Sequence, residues 1–121
     1  MAVIVLAAAL SACAGAVRTG DGRELALRSA EFAAYAEGVF RLQNDVLDRL
    51  AFMLERAPGD AQALAHEDRV LARCAGINAI AVRRRDERGT RVLADARAAR
   101  QVPECEAAAS AAALWLDAAG N

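Results

Sequence analysis

With 121 residues and a net charge of −1, the chain suffices for one small domain and carries no basic field of the kind that holds nucleic acid. Although 56% of the residues are apolar, 33 are alanine, whose single methyl buries little area, and the aromatics are only Phe32, Phe40, Phe52, Tyr35 and Trp115. That mixture excludes a β-sandwich or barrel, which wants β-branched and aromatic strands, and its alanine, leucine and arginine predict an all-α fold. The first segment in chain order is a leader. No charge precedes Arg18, and Ala2 to Leu10 form a continuous apolar run. Nine residues fall far short of the roughly 20 that span a bilayer as a helix, but suit the apolar region of a secretory signal.

Leu10-Ser11-Ala12-Cys13 resembles the lipobox of bacterial lipoprotein precursors: leucine, two small residues, then cysteine. The leader differs from that family's usual pattern in having only Met1 and Ala2 where Lys or Arg normally stands. The resemblance implies that residues 1–12 are a signal peptide that is removed. It further implies that Cys13 carries diacylglycerol and begins the mature chain, with acyl chains such as palmitate anchoring it to a membrane. Two or three acyl chains hold durably where one holds only marginally. Ala14, rather than Asp, after the cysteine implies the periplasmic face of the outer membrane. The alternatives are a soluble periplasmic or secreted protein cut after Ala12 or Ala14, or an uncleaved buried helix. Assigning Cys13 to lipid leaves Cys74 and Cys105 as a pair, which an oxidising periplasm would close as a disulfide. Two free thiols or a redox pair are the other readings, but there is no Cys-x-x-Cys and no βαβ pattern.

Residues 13–20 read as a short lipidated tether, and 21–121 as the domain. Asp21-Gly22-Arg23-Glu24 predicts a helix start, Asp21 capping and Glu24 reaching back. That helix runs to about Ala57, with Leu25, Phe32, Val39, Val46 and Met53 recurring every seven residues and Ala36 and Leu50 beside them. Gly38 in its middle predicts a close approach or a bend. Pro58-Gly59-Asp60 is a stop, a turn and a new cap. A second helix follows over about 61–85, its inner face Ala63, Val70, Cys74, Ile77 and Ala81, flanked by Leu64, Leu71 and Ile80. So short a link predicts an antiparallel hairpin. Gly89 and Thr90 predict a terminator and a cap, then a third helix over about 91–101 with Leu93 and Ala96 inward. Pro103 opens a fourth, ending near Ala119, with Cys105, Ala109, Ala112 and Leu116 on one face and Trp115 beside them. The expectation is a small antiparallel helical bundle: a long hairpin, two shorter helices, one disulfide.

Chemistry is sparse. The one histidine, His66, has Glu67 and Asp68 beside it in sequence, which point elsewhere on a helix, so no metal set forms. Haem between Met53 and His66 would need both to face inward, and a core methionine is more often packing. Ser29 and Ser110 lie outside any nucleophile turn. Glu104/Glu106 and Asp86/Glu87 read as charges near helix ends. All 15 basic residues are arginine, which GC-rich codon usage explains more simply than anion recognition throughout. Arg83, Arg84, Arg85 and Arg88 are the densest cluster: a membrane or partner contact, or complements to a helix dipole. Gln43, Asn44 and Asn78 either fix helix register or line a small pocket. The expected function is non-enzymatic and cofactor-free: a lipid-anchored envelope module that binds an envelope protein. The alternative is a small-ligand or cofactor binder with its pocket between the first two helices. The heptad and the alanine runs 107–109 and 111–113 also suit self-association.

Overall fold

The computed structural model describes residues 15–86 and 92–120, the side chains of 92–94 excepted. The leader, Cys13, Glu87, Arg88, Gly89, Thr90 and the side chain of Leu93 therefore lie outside the described residues. Two short strands precede four helices: β1 (Ala16–Arg18), β2 (Glu24–Ala26), α1 (Ala30–Arg56), α2 (Ala61–Arg73), α3 (Ala75–Arg85) and α4 (Val92–Ala118).

The strands are the first departure from the all-α expectation. They pair antiparallel, Ala16 opposite Ala26, Val17 opposite Leu25 and Arg18 opposite Glu24. Val17 and Leu25 point the same way and are buried in the core, so the stretch expected as a tether belongs partly to the folded body. Asp21-Gly22 makes the turn rather than a helix cap. Gly22 has φ +87°, a left-handed conformation that glycine adopts at little cost, and its N–H donates to the Thr19 carbonyl at 3.0 Å. Asp21 serves this turn, bonding the Thr19 hydroxyl and the Arg23 Nε, and these two contacts, in that order, lower its carboxyl pKa. The helix cap falls at Ser29, whose Oγ accepts from the Phe32 N–H at 3.0 Å.

From there α1 follows the seven-residue pattern. Phe32, Tyr35, Val39, Gln43, Val46 and Leu50 are buried, with Ala36 and Met53 half-buried beside them. Gly38 is exposed, and a Cβ there would meet nothing within 4 Å, so it marks no close approach. Asp60 starts α2 by accepting from the Gln62 and Ala63 N–H groups, both at 3.0 Å. The expected second helix is interrupted at Cys74, which sits at φ −96°, ψ 2° between α2 and α3 and is bonded to Cys105. Ala63, Val70 and Cys74 are buried and Ile77, Ile80 and Ala81 half-buried, but Leu64 and Leu71 lie exposed on the rim. Conversely, the expected third and fourth helices are one, α4, running through Pro103. A proline inside a helix costs about 3 kcal/mol relative to alanine. Here Val102 and Cys105, both buried, hold its two flanks, and packing overrides propensity. Glu104 and Glu106 therefore stand in mid-helix, where they cannot act as caps.

The core is a single cluster joining Val17 and Leu25 to the α1 stripe, to Ala63, Val70 and Cys74, and to Val102, Cys105, Ala108, Ala112 and Leu116 of α4. Gln43 lies fully buried within it and exchanges hydrogen bonds with Asn78 of α3, while Asn44 is exposed. This satisfied pair joins α1 to α3.

Candidate functional site

On α2, Gln62, His66, Arg69 and Arg73 recur at intervals of four, three and four, which places them along one flank of the helix beside the buried Ala63–Val70 stripe. That flank faces α4. Trp115 Nε1–H donates to Gln62 Oε1 at 2.9 Å, and its ring lies 5.0 Å from the imidazole of His66, centroid to centroid. Further along, Arg73 meets Glu104 at 3.7 Å, Cys74 is bonded to Cys105, and Arg83 pairs with Asp95. The line of contacts forms a seam between α2–α3 and α4, clamped near its middle by the disulfide. Gly76 lets the helices close there: a Cβ on it would stand 3.0 Å from the Cβ of Ala98.

Two open hollows lie along the seam. The larger, about 410 Å³, is lined by Arg69, Arg73, Glu104, Ala107, Ala108 and Ala111. The smaller, about 210 Å³, is lined by Gly76, Ala79, Arg83, Arg97, Ala98 and Gln101. Alanine and glycine leave the floor smooth, and guanidinium groups stand in the walls. Four arginines (69, 73, 83, 97) face two carboxylates (Glu104, Asp95), a surplus of two positive charges in a chain whose net charge is −1. Arg73 and Arg83 have their ion pairs; Arg69 and Arg97 have no acidic partner among the described residues. Beside the larger hollow, Ala107, Ala111, Leu114 and Ala118 form an exposed stripe on α4, and Leu114 at 71% is the most exposed large apolar side chain described.

His66 stands at one end of the seam. Burial first, and the nearby Arg69 second, hold its imidazole below the ordinary pKa of 6.5, favouring the neutral ring. Its Nδ1 is buried without a hydrogen-bond partner. Among the described residues no three His, Cys, Asp or Glu side chains gather as a metal would require, and no helix is long and apolar enough to cross a membrane.

The arginine cluster of the sequence is split. Arg83 turns to Asp95 and is half-buried, Arg85 bonds Asp86 at 3.2 Å, Arg84 is exposed, and Arg88 lies outside the described residues. Ser29 is the α1 cap, and Ser110 is half-buried on α4. Sequence reasoning missed the seam, although the Arg69-x-x-x-Arg73 spacing next to the predicted inner face was a usable signal. It also missed a node in which Glu106 Oε1 accepts from the Gly20 N–H at 2.7 Å and from the Tyr35 hydroxyl at 3.0 Å.

Fold and site together define a small, disulfide-clamped helical domain with an arginine-walled surface seam. No protein-family model, curated protein or solved structure matches the chain.

Proposed function

We propose that this protein is a lipid-anchored, non-enzymatic module of the bacterial cell envelope that presents a helical surface to an envelope protein. The observation that carries this reading is the bond between Cys74 and Cys105, which accounts for two of the three cysteines and leaves Cys13, at the end of the lipobox-like leader, for the lipid. An oxidised pair suits an exported protein, since the periplasm favours disulfides that the cytosol does not. Ala14 after the cysteine supports the periplasmic face of the outer membrane. β1 begins three residues after Cys13, so the lipid would hold the strand end of the domain close to the bilayer.

Within that module we read the helices as an antiparallel bundle. Gln43 of α1 meets Asn78 of α3 across the Pro58-Gly59 turn. The pairs Gln62–Trp115, Arg73–Glu104 and Arg83–Asp95 descend α4 as they ascend α2 and α3. The pairs Tyr35–Glu106 and Arg49–Asp117 ascend together, which supports α4 running alongside α1 in the same direction.

Metabolic labelling with radioactive palmitate tests the attachment. The label is expected in the wild-type protein and absent from Cys13→Ala; equal labelling of both, or of neither, contradicts it.

A further inference from the structure

We propose that the seam between α2–α3 and α4 is a docking groove for an acidic, amphipathic helix of a partner protein. This rests on the interaction-module reading above and gives it a face and a partner chemistry. The charge imbalance is local. Arg69, Arg73, Arg83 and Arg97 outnumber Glu104 and Asp95 along the two hollows, and Arg69 and Arg97 are without acidic partners among the described residues. Guanidinium groups bind carboxylates through paired N–H donors, so a row of Glu or Asp at helical spacing along the walls completes what the protein leaves open.

The shape of the hollows suits a helix better than a membrane. The hollows follow α4 from Ala111 back to Arg97, fourteen residues or about 21 Å at 1.5 Å per residue, which matches a partner helix of about four turns. The exposed Ala79, Ala107 and Ala111 give apolar side chains of such a helix a smooth bed over the line where α2–α3 meet α4. Leu114, three residues beyond Ala111 on the same exposed stripe of α4, offers an apolar contact to a helix lying along that stripe. A flat lipid surface reaches the rim of a groove but not its floor, and gains nothing from an alanine bed. This is helix-in-groove recognition, with apolar anchors at helical spacing giving affinity and flanking charges giving selectivity.

The test uses the purified full chain in phosphatidylcholine nanodiscs and a fluorescein-labelled, stapled 15-residue helix. The probe carries Leu and Ala on one face and Glu along both flanks; a matched probe carries Lys in place of Glu. Fluorescence anisotropy is expected to show saturable binding of the acidic helix and none of the basic one. Arg69→Glu/Arg73→Glu is expected to weaken binding at least tenfold, and Arg84→Glu/Arg85→Glu, outside the seam, to leave it unchanged. Should the reversed pair fail to fold by circular dichroism, Arg69→Gln/Arg73→Gln and Leu114→Glu read the same surface, each with an expected loss of threefold or more. Failure of the acidic helix to bind, equal binding to the seam variants, or its displacement by phosphatidylglycerol vesicles overturns the proposal. Self-association of the chain that the seam variants abolish also overturns it, by assigning the groove to a second copy. Anisotropy does not depend on the acyl group, so loss of palmitate labelling with binding intact removes the anchor alone, and the converse removes the groove alone.

Discussion

Glu106 does more for the fold than its position on a solvent-facing flank of α4 suggests. One of its oxygens receives the Gly20 N–H at 2.7 Å and the Tyr35 hydroxyl at 3.0 Å, tying the β1–β2 turn and α1 to α4 at a single carboxylate. Glu106→Ala would leave both donors without this acceptor and should cost about 1–2 kcal/mol. That corresponds to a Tm lower by roughly 5–10 °C for a domain of this size, while Glu106→Gln, which keeps an acceptor, should lose less than half as much. Tyr35 titrates accordingly. Burial first, and its bond to the Glu106 carboxylate second, push its hydroxyl above the ordinary pKa of 10.0. The folded chain therefore keeps a proton that the unfolded chain loses. This stabilisation is complete below pH 10 and is lost as the pH rises beyond it. Denaturant titrations above pH 10 should show a decline that Tyr35→Phe flattens. His66 works in the opposite sense. Its pKa is depressed, so its contribution is present above pH 6.5 and is lost as the pH falls, because the unfolded chain takes up the proton more readily. His66→Phe should flatten the slope just below pH 6.5 and leave the alkaline side untouched.

Helices α3 and α4 approach through Gly76, and the disulfide one turn away holds them. Gly76→Val should wedge the seam open, since even a Cβ would sit 3.0 Å from both the Ala98 Cβ and Gln101 Oε1. Overpacking of that kind costs typically 1–3 kcal/mol, readable as a lower urea midpoint. The bond itself closes a loop over a sequence separation of 31, worth about 3.7 kcal/mol in the chain-entropy account. Cys74→Ala/Cys105→Ala should therefore lower the unfolding free energy by about 2–4 kcal/mol, and a fall under 1 kcal/mol would show that packing alone holds the seam. Legibility at this scale was uneven. The stripe Phe32–Val39–Val46–Leu50 and the Asp60 cap were readable, because a 27-residue helix repeats its pattern often enough to be heard. The hairpin was not. Strands of three residues show no usable alternation, and Asp-Gly serves a turn as readily as it precedes a helix. Nor did Pro103 announce a helix running through it, since that depends on burial of Val102 and Cys105 against residues remote in sequence.

The whole molecule is a thin-cored domain. Alanine fills much of the α4 face, and the largest fully buried side chains are Leu50, Leu116 and Gln43, with no aromatic among them. A core of that kind gains little from area alone, which makes the covalent clamp, the Gln43–Asn78 exchange and the Glu106 node proportionately important. The seam was hidden from sequence reasoning for a related reason. Its arginines come from three helices, and only the folded arrangement sets Arg69 and Arg73 in line with Arg97 and leaves Leu114 uncovered. The attachment rests instead on the leader and on cysteine bookkeeping. Intact-mass analysis of the protein from its native membrane tests that claim most directly. The account predicts a chain beginning at Cys13, heavier by a diacylglycerol and further acyl chains, with Cys74 and Cys105 joined and no free thiol. A chain that begins at Met1, carries no acyl group and reacts at three thiols would contradict it.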